Sequence, residues 1–283
     1  MNNSVIIATT ANDTVRIYTA RTTELVEEAR KIHDTWPTAT AAFGRVITGT
    51  VMMGVMSDTL QRLTVQFVGN GPLGKITAVS NQPGIVKGYV DQPHVDLDLN
   101  AKGKFDIAQA IGQGTLNVIK DYGLKNPYNG VIPLQSGEIS EDFAYYFNCS
   151  EQTPSAVGLG VLVAPDGQVQ AAGGFIIQLL PGYGEETVAA LEELLKTIPP
   201  VTTIFDQGET QLQLVQRFAV AGELKILKEV PIAYACDCSQ ERFRGPLISL
   251  GKAELDQIIE EQGRIEVQCQ FCNKKYDYYA DQL

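Results

Sequence analysis

The sequence predicts an α+β protein with an N-terminal domain of mixed helix and antiparallel sheet, a helical linker and a small C-terminal four-cysteine domain. Three observations carry this. Short β-branched runs separated by Gly and Pro fill residues 62–90, an amphipathic helix follows Pro181, and four of the five cysteines fall in the last 48 residues. The implied divisions are 1–180 for the N-terminal domain, 181–235 for the linker and 236–283 for the cysteine domain.

In chain order, Thr22 or Thr23 can cap a helix running to about Thr35, with Leu25, Val26, Ala29 and Ile32 on one face and Pro37 stopping it. The apolar stretch Ala39–Met56 is interrupted by Arg45 and several Thr and Gly, which predicts a buried helix and not a membrane span. "RLTVQFVG", "GKITAVS" and "IVKGYV" then read as a β-meander. "EISEDFAYYF" opens with Glu138, Glu141 and Asp142, acids that favour a helix N-terminus, and continues as an apolar helix. Cys149, at its end, is expected to be a small buried hydrophobe. Two β runs around Asp166-Gly167 predict a hairpin.

From Pro181 the texture changes. "GEETVAALEELLKTIPP" predicts an amphipathic helix with Val188, Leu191, Leu195 and Ile198 on one stripe, closed by Pro199 and Pro200. The stretch 201–235 reads as a connector that takes its stability from the surfaces it covers, because short helices are marginal alone. In the last 48 residues one helix, "KAELDQIIEEQG", turns Leu255, Ile258 and Ile259 inward and stops at Gly263. A unit this small usually needs a staple.

Composition narrows the function. The chain has 283 residues, 44% hydrophobic and 19% charged, as in soluble globular proteins. The N-terminus lacks a basic start, and its apolar run Val5–Ala8 is too short for a signal peptide, so a cytoplasmic setting is expected. There thiols stay reduced, and clustered cysteines are metal ligands or redox groups more often than structural disulfides. Net charge is −11 overall, and residues 236–283 carry six Lys/Arg against nine Asp/Glu, a poor balance for a nucleic-acid finger.

Cys236-Asp-Cys238 and Cys269-Gln-Phe-Cys272 are separated by 30 residues, and two close pairs from distant segments are how a four-thiolate zinc site is assembled. C-x-x-C is common in such sites, whereas C-x-C is tighter than usual. Closing a loop of ~30 residues costs on the order of 3 kcal/mol, against roughly 10 to 16 kcal/mol from structural zinc in small fingers. Oxidation would act differently, because a disulfide sulfur cannot retain the metal. Two bridges within the pairs would close very short loops worth very roughly 1.5 to 2 kcal/mol each, and neither would tie Cys238 to Cys269. The spacing therefore raises a hypothesis: peroxide or hypochlorite converts the zinc site into two bridges and unfolds the last ~50 residues. A purely structural zinc module and a catalytic dithiol remain as alternatives. The dithiol is disfavoured because no helix pattern follows "RIEVQCQFCNKKYDYY".

Other signals fail on context. "GNGPLGK", Gly69–Lys75, matches G-x-G-x-x-G and most of a phosphate-binding loop. Ile76 stands where a metal-binding hydroxyl is needed, and a β-branched run follows, so a hairpin turn is expected and ATP is not. Asp91, His94, Asp96 and Asp98 in "DQPHVDLDL" read as alternating positions on a solvated strand edge. With only His33 and His94 and no G-x-S-x-G, nothing recommends hydrolase chemistry, and no enzyme is expected.

The segment "CDCSQERFRGPLISLGKAELDQIIEEQGRIEVQCQFCNKKY" resembles the C-terminal zinc module of the heat-shock protein 33 family, the redox-regulated chaperones. "EISEDFAYYFNCSEQTPSAVGLGVLV" and "AAGGFIIQLLPG" resemble that family's N-terminal domain. The resemblance implies an ATP-independent holdase whose Cys236, Cys238, Cys269 and Cys272 bind one zinc ion in an inactive reduced form. It further implies that oxidation pairs Cys236 with Cys238 and Cys269 with Cys272, releases zinc and unfolds the linker. The product would be an active homodimer that holds unfolded or partly folded client proteins; the apolar stripe Val188, Leu191, Leu195 and Ile198 is expected to become exposed as client-binding surface. A thiol-disulfide oxidoreductase and a zinc-ribbon RNA binder are the other classes to be separated from it.

Overall fold

A computed structural model describes residues 3–101, 103–220 and 222–282. Contacts divide the chain into two compact units, Met1–Tyr234 and Ala235–Leu283.

In the first unit, β1 (Ser4–Thr10) and β2 (Val15–Arg21) lead into α1 (Thr23–His33) and α2 (Pro37–Gly54). The meander follows as β3 (Arg62–Gly69), β4 (Lys75–Gln82) and β5 (Ile85–Val90), with "GNGPLGK" at the β3–β4 turn as expected. After a short helix α3 (Ile107–Ile111) come β6 (Gly114–Asp121), β7 (Tyr128–Pro133) and α4 (Ser140–Ser150). The hairpin at Asp166-Gly167 joins β8 (Ser155–Val163) to β9 (Val169–Leu179). Then α5 (Glu185–Thr197), α6 (Val201–Asp206), α7 (Gln211–Arg217), β10 (Lys225–Pro231) and β11 (Ala233–Tyr234) complete the unit.

The strands form an antiparallel five-stranded sheet, β10-β1-β2-β9-β8, and a six-stranded sheet, β11-β5-β4-β3-β6-β7, whose only parallel pair among the described residues is β11 with β5. α2 packs on both sheets, and every residue of it except Pro37 and Arg45 is buried. A helix packed between two sheets is buried on all sides and has no need of a polar face. That is why Ala39–Met56 carries so little polar patterning.

Several sequence expectations are corrected. Thr22 occupies the N-cap of α1, yet its hydroxyl lies 2.8 Å from the Thr48 hydroxyl of α2, so it joins two helices instead of capping one. Cys149 is exposed, not buried, because α4 turns Phe143, Tyr146 and Phe147 inward and leaves position 149 on its outer side. Residues 91–98 form no strand. Their backbone laces over the start of α2, where the carbonyls of Pro93 and Val95 accept from Trp36 and Ala39. The orphan N–H groups of a helix start compete for those carbonyls and win them from a ladder. His94 pairs with Asp34 at 3.0 Å and Asp96 accepts from the Thr38 hydroxyl at 2.9 Å, so these side chains serve separate partners.

α5, α6 and α7 have 13, 6 and 7 residues and would be marginal in isolation. They cover the outer face of the five-stranded sheet, where Leu191, Ile204, Phe205, Leu214 and Phe218 pack with Ile17 and Phe175. Of the predicted stripe, Leu191 is buried, Leu195 and Ile198 are partly buried against the same cluster, and Val188 is half-buried.

One carboxylate, ion-paired within α1, also ties that helix to the hairpin. The Glu27 carboxylate accepts two hydrogen bonds of 2.8 Å from Arg30 and one of 3.0 Å from the Val169 N–H. The Arg30 guanidinium, helped by that backbone donor, holds its pKa down to about 2 from 4.5. A depressed carboxylate contributes stability above its unfolded value, and the contribution is lost as pH falls from about 4.5 through about 2. Glu27→Gln should therefore cost about 1 to 2 kcal/mol near neutrality, a figure discounted for partial solvation, and progressively less on acidification. Denaturant melts of both proteins at pH 7 and pH 3 check this; an equal loss at both would show that Glu27 acts through packing alone.

Candidate metal centre

The second unit is built on little apolar surface. α8 (Gln240–Ile248) and α9 (Lys252–Gln262) precede a hairpin of β12 (Ile265–Gln268) and β13 (Lys275–Tyr278). Its buried apolar residues are Leu247, Leu255, Ile265 and Tyr278, with Phe243, Ile258 and Ile259 packed against them. Gly263 closes α9 in the left-handed region at φ 75°, where a side chain would be strained.

The cysteines come from two places that this architecture joins. Cys236 and Cys238 lie just before α8, whose N-cap Ser239 accepts from the Arg242 N–H at 3.3 Å. Cys269 and Cys272 sit in the turn between β12 and β13. That turn is fixed by the Cys269 N–H bonded to the Lys274 carbonyl at 2.9 Å and the Asn273 N–H bonded to the Cys269 carbonyl at 2.8 Å. Asn273 takes φ 57°, a left-handed conformation that Asn tolerates well.

Two tyrosines hold the segments together. From β13, the Tyr276 hydroxyl donates to the Cys238 carbonyl at 3.0 Å and lies 3.2 Å from the Cys238 sulfur, and Tyr278 donates to the Gln240 carbonyl at 2.6 Å. The sequence reading missed both. Their signal was the i, i+2 spacing in "KKYDYY", which on a strand puts Tyr276 and Tyr278 on one face.

All four sulfurs lie within 4.8 Å of one another, with Cys236 and Cys269 at 3.7 Å and Cys238 and Cys272 at 3.3 Å. These are not bonds, since a disulfide needs about 2.0 Å. A tetrahedral ion with bonds of about 2.3 Å to sulfur would set its donors about 3.8 Å apart, so the cluster has the size of such a site. Proton energetics agree. Burial pushes the Cys236 and Cys272 thiols up. For Cys238 burial works the same way, but hydrogen bonds from Tyr276 and the neighbouring thiols outweigh it and bring its pKa down. Four thiolates so close would repel one another unless a cation took the place of their protons. A soft, four-sulfur donor set suits zinc and not magnesium or calcium. Among the described residues no other group of three or more His, Cys, Asp or Glu could hold a metal ion.

Fold and site together define an α+β protein carrying a four-thiol, metal-competent centre on a separate C-terminal unit. The Hsp33 protein family model matches residues 3–279, and the chain belongs to that family. It is 48% identical over 284 aligned residues to a 33 kDa chaperonin of Geobacillus kaustophilus, covering 100% of this chain and 97% of that one. It is 49% identical over 271 residues to a 33 kDa chaperonin of Bacillus pumilus, covering 95% and 92%. Among solved structures, the 33 kDa chaperonin (heat shock protein 33 homolog) of Thermotoga maritima superposes with a TM-score of 0.91 at 38% identity, covering 100% of this chain and 96% of that one. The family places the protein among the chaperones. No helix among the described residues is long and apolar enough to cross a membrane.

Proposed function

We propose that the chain is an ATP-independent holdase, switched on by oxidation of a zinc centre formed by Cys236, Cys238, Cys269 and Cys272. The observation that carries the reading is that the thiols join two segments more than thirty residues apart, while covalent pairing within C-x-C and C-x-x-C would join neither to the other. A bound zinc ion would supply the cross-link and keep the thiolates unprotonated. In oxidation each pair of thiolates, Cys236 with Cys238 and Cys269 with Cys272, gives two electrons to one peroxide molecule. The peroxide takes two protons and leaves as two waters. The ion loses its donors, and with them the unit loses its staple.

The linker, residues 181–235, then unfolds. Leu191, Leu195 and Ile198 support this step, because they are packed on the sheet while folded and would become apolar surface on melting, together with Val188. Oxidised chains associate as homodimers around unfolded or partly folded clients in the cytoplasm, without nucleotide, nucleic acid or membrane.

The test is light scattering from a chemically unfolded client, with this protein either reduced and zinc-loaded or treated with peroxide or hypochlorite. Suppression by the oxidised form alone is expected. Equal suppression by both forms, or by neither, would overturn the switch.

A further inference from the structure

The five-stranded sheet ends at β8, an apolar edge strand with no strand paired beyond it, flanked by α2, α4 and α6. The Pro154 carbonyl accepts from Leu179 on the β9 side, and the Leu159 N–H points the other way, to the Ser140 hydroxyl at 3.1 Å. By strand alternation the N–H groups of Val161 and Val163 also point away from β9. Among the described residues neither has a hydrogen-bond partner on that side. Natural sheets usually blunt such an edge with charge, proline or a covering element. Here the edge strand reads Val-Gly-Leu-Gly-Val-Leu-Val over residues 157–163.

A groove of about 580 Å³ wraps this edge. Its lining includes Arg45, Lys104, Phe105, Ile198 and Thr202. Gly160 lets the start of α6 pack closely on the strand, since a Cβ there would come within 2.8 Å of the Thr202 methyl. The charge is one-sided. Arg45 is bonded to Glu138 at 3.0 Å, its Nε is buried without a hydrogen-bond partner, and Lys104 adds a second cation with no ion pair among the described residues. An apolar cleft with unpaired main-chain donors and a cationic lining has the chemistry of strand addition: backbone bonds hold the guest, side-chain pockets select it, and the cations choose an anion.

We propose that this groove is a strand-addition site for the carboxy-terminal end of an extended apolar peptide, paired edge-on to Val161 and Val163 with its carboxylate toward Arg45 and Lys104. The groove holds only a few residues, which suits a chain end better than a segment needing an exit at both sides. The site goes beyond the holdase reading: it is a peptide site of the folded, reduced chain, distinct from the client surface that the switch would expose, because its walls are complete while residues 195–203 are folded. It is therefore tested on the reduced, metal-loaded full chain, so that failure here and failure of redox activation are read separately.

The probe is acetyl-Val-Leu-Val-Leu with a free carboxylate, titrated into isotope-labelled protein and followed by NMR. The Val161 and Val163 amide signals should shift, and their hydrogen exchange should slow about tenfold or more at saturation. Amidating the peptide terminus should weaken binding about fivefold. Lys104→Ala should weaken the acid by a similar factor and leave the amide unchanged. Methylating the peptide nitrogens of one edge should abolish binding, while methylating those of the other edge should leave it intact. Shifts centred on the other sheet edges, equal binding of the two methylated peptides or equal binding of acid and amide would each overturn the proposal. So would Val161 and Val163 shifts that follow protein concentration and not peptide, which would assign the edge to a second copy of the chain.

Discussion

Cys269→Ser should unfold residues 235–283 while leaving the unit Met1–Tyr234 with its own cooperative transition. Cys269 is 3% exposed, the most buried of the five cysteines, and its backbone fixes the turn that presents Cys272. Among the described residues the apolar core of this unit contains only four buried side chains, each worth at most roughly 1.5 to 3 kcal/mol, against about 1 to 2 kcal/mol of backbone entropy for every residue ordered. Such a unit would close only with a bound metal, which contributes roughly 10 to 16 kcal/mol in small zinc modules. Serine is a poor ligand for a soft ion, so the variant should lose bound zinc and the C-terminal NMR dispersion together. Protease should then cut within 235–283 at low enzyme. Chelation of the unaltered protein should reproduce the state, and added zinc should reverse it. A Cys269→Ser protein that keeps its dispersed C-terminal resonances after metal loss would show that the small core suffices, and the staple argument would fail.

Much of this was legible in the sequence, for reasons that differ by element. The C-x-C and C-x-x-C pairs could be read as one site because sulfur chemistry limits what clustered reduced thiols do, and the structure brings all four within 4.8 Å. α2 was legible because a helix buried on all sides has no polar face to mislead, and the meander because its turns are marked by Gly and Pro. β1 was not found. Its residues Ser4–Thr10 are buried on both faces, so the alternation that betrays a half-exposed strand is missing. Cys149 was misplaced because a three-residue aromatic run before it makes the end of α4 look apolar, whereas helical phase turns that position outward. The segment 91–98 was misread because local pattern cannot register that the start of a distant helix needs its carbonyls. The i, i+2 spacing marks Tyr276 and Tyr278 as one strand face, but that Tyr276 clamps Cys238 depends on a pairing between segments 38 residues apart, and the partner is not encoded locally.

Phe143→Ala should destabilise the first unit by about 3 to 5 kcal/mol, the range for emptying a fully buried phenylalanine site. The ring is 0% exposed and packs edge-on to Phe67 with centroids 5.4 Å apart. Its other side fills the space left by Gly49 of α2, where an added Cβ would stand 2.5 Å from the ring. The two positions are thus one packing decision: a glycine is tolerated inside a buried helix because an aromatic ring from α4 occupies its missing side chain. It follows that Gly49→Ala, which ought to gain helix propensity of up to about 1 kcal/mol, should destabilise the unaltered protein instead. In the Phe143→Ala background the clash is gone and the new methyl fills part of the cavity, so the same change should become neutral or stabilising. Denaturant unfolding of the four proteins gives the coupling directly, and a magnitude above about 1 kcal/mol is expected. Additive losses would mean that α2 and α4 adjust independently, and that the glycine is there for some reason other than the ring.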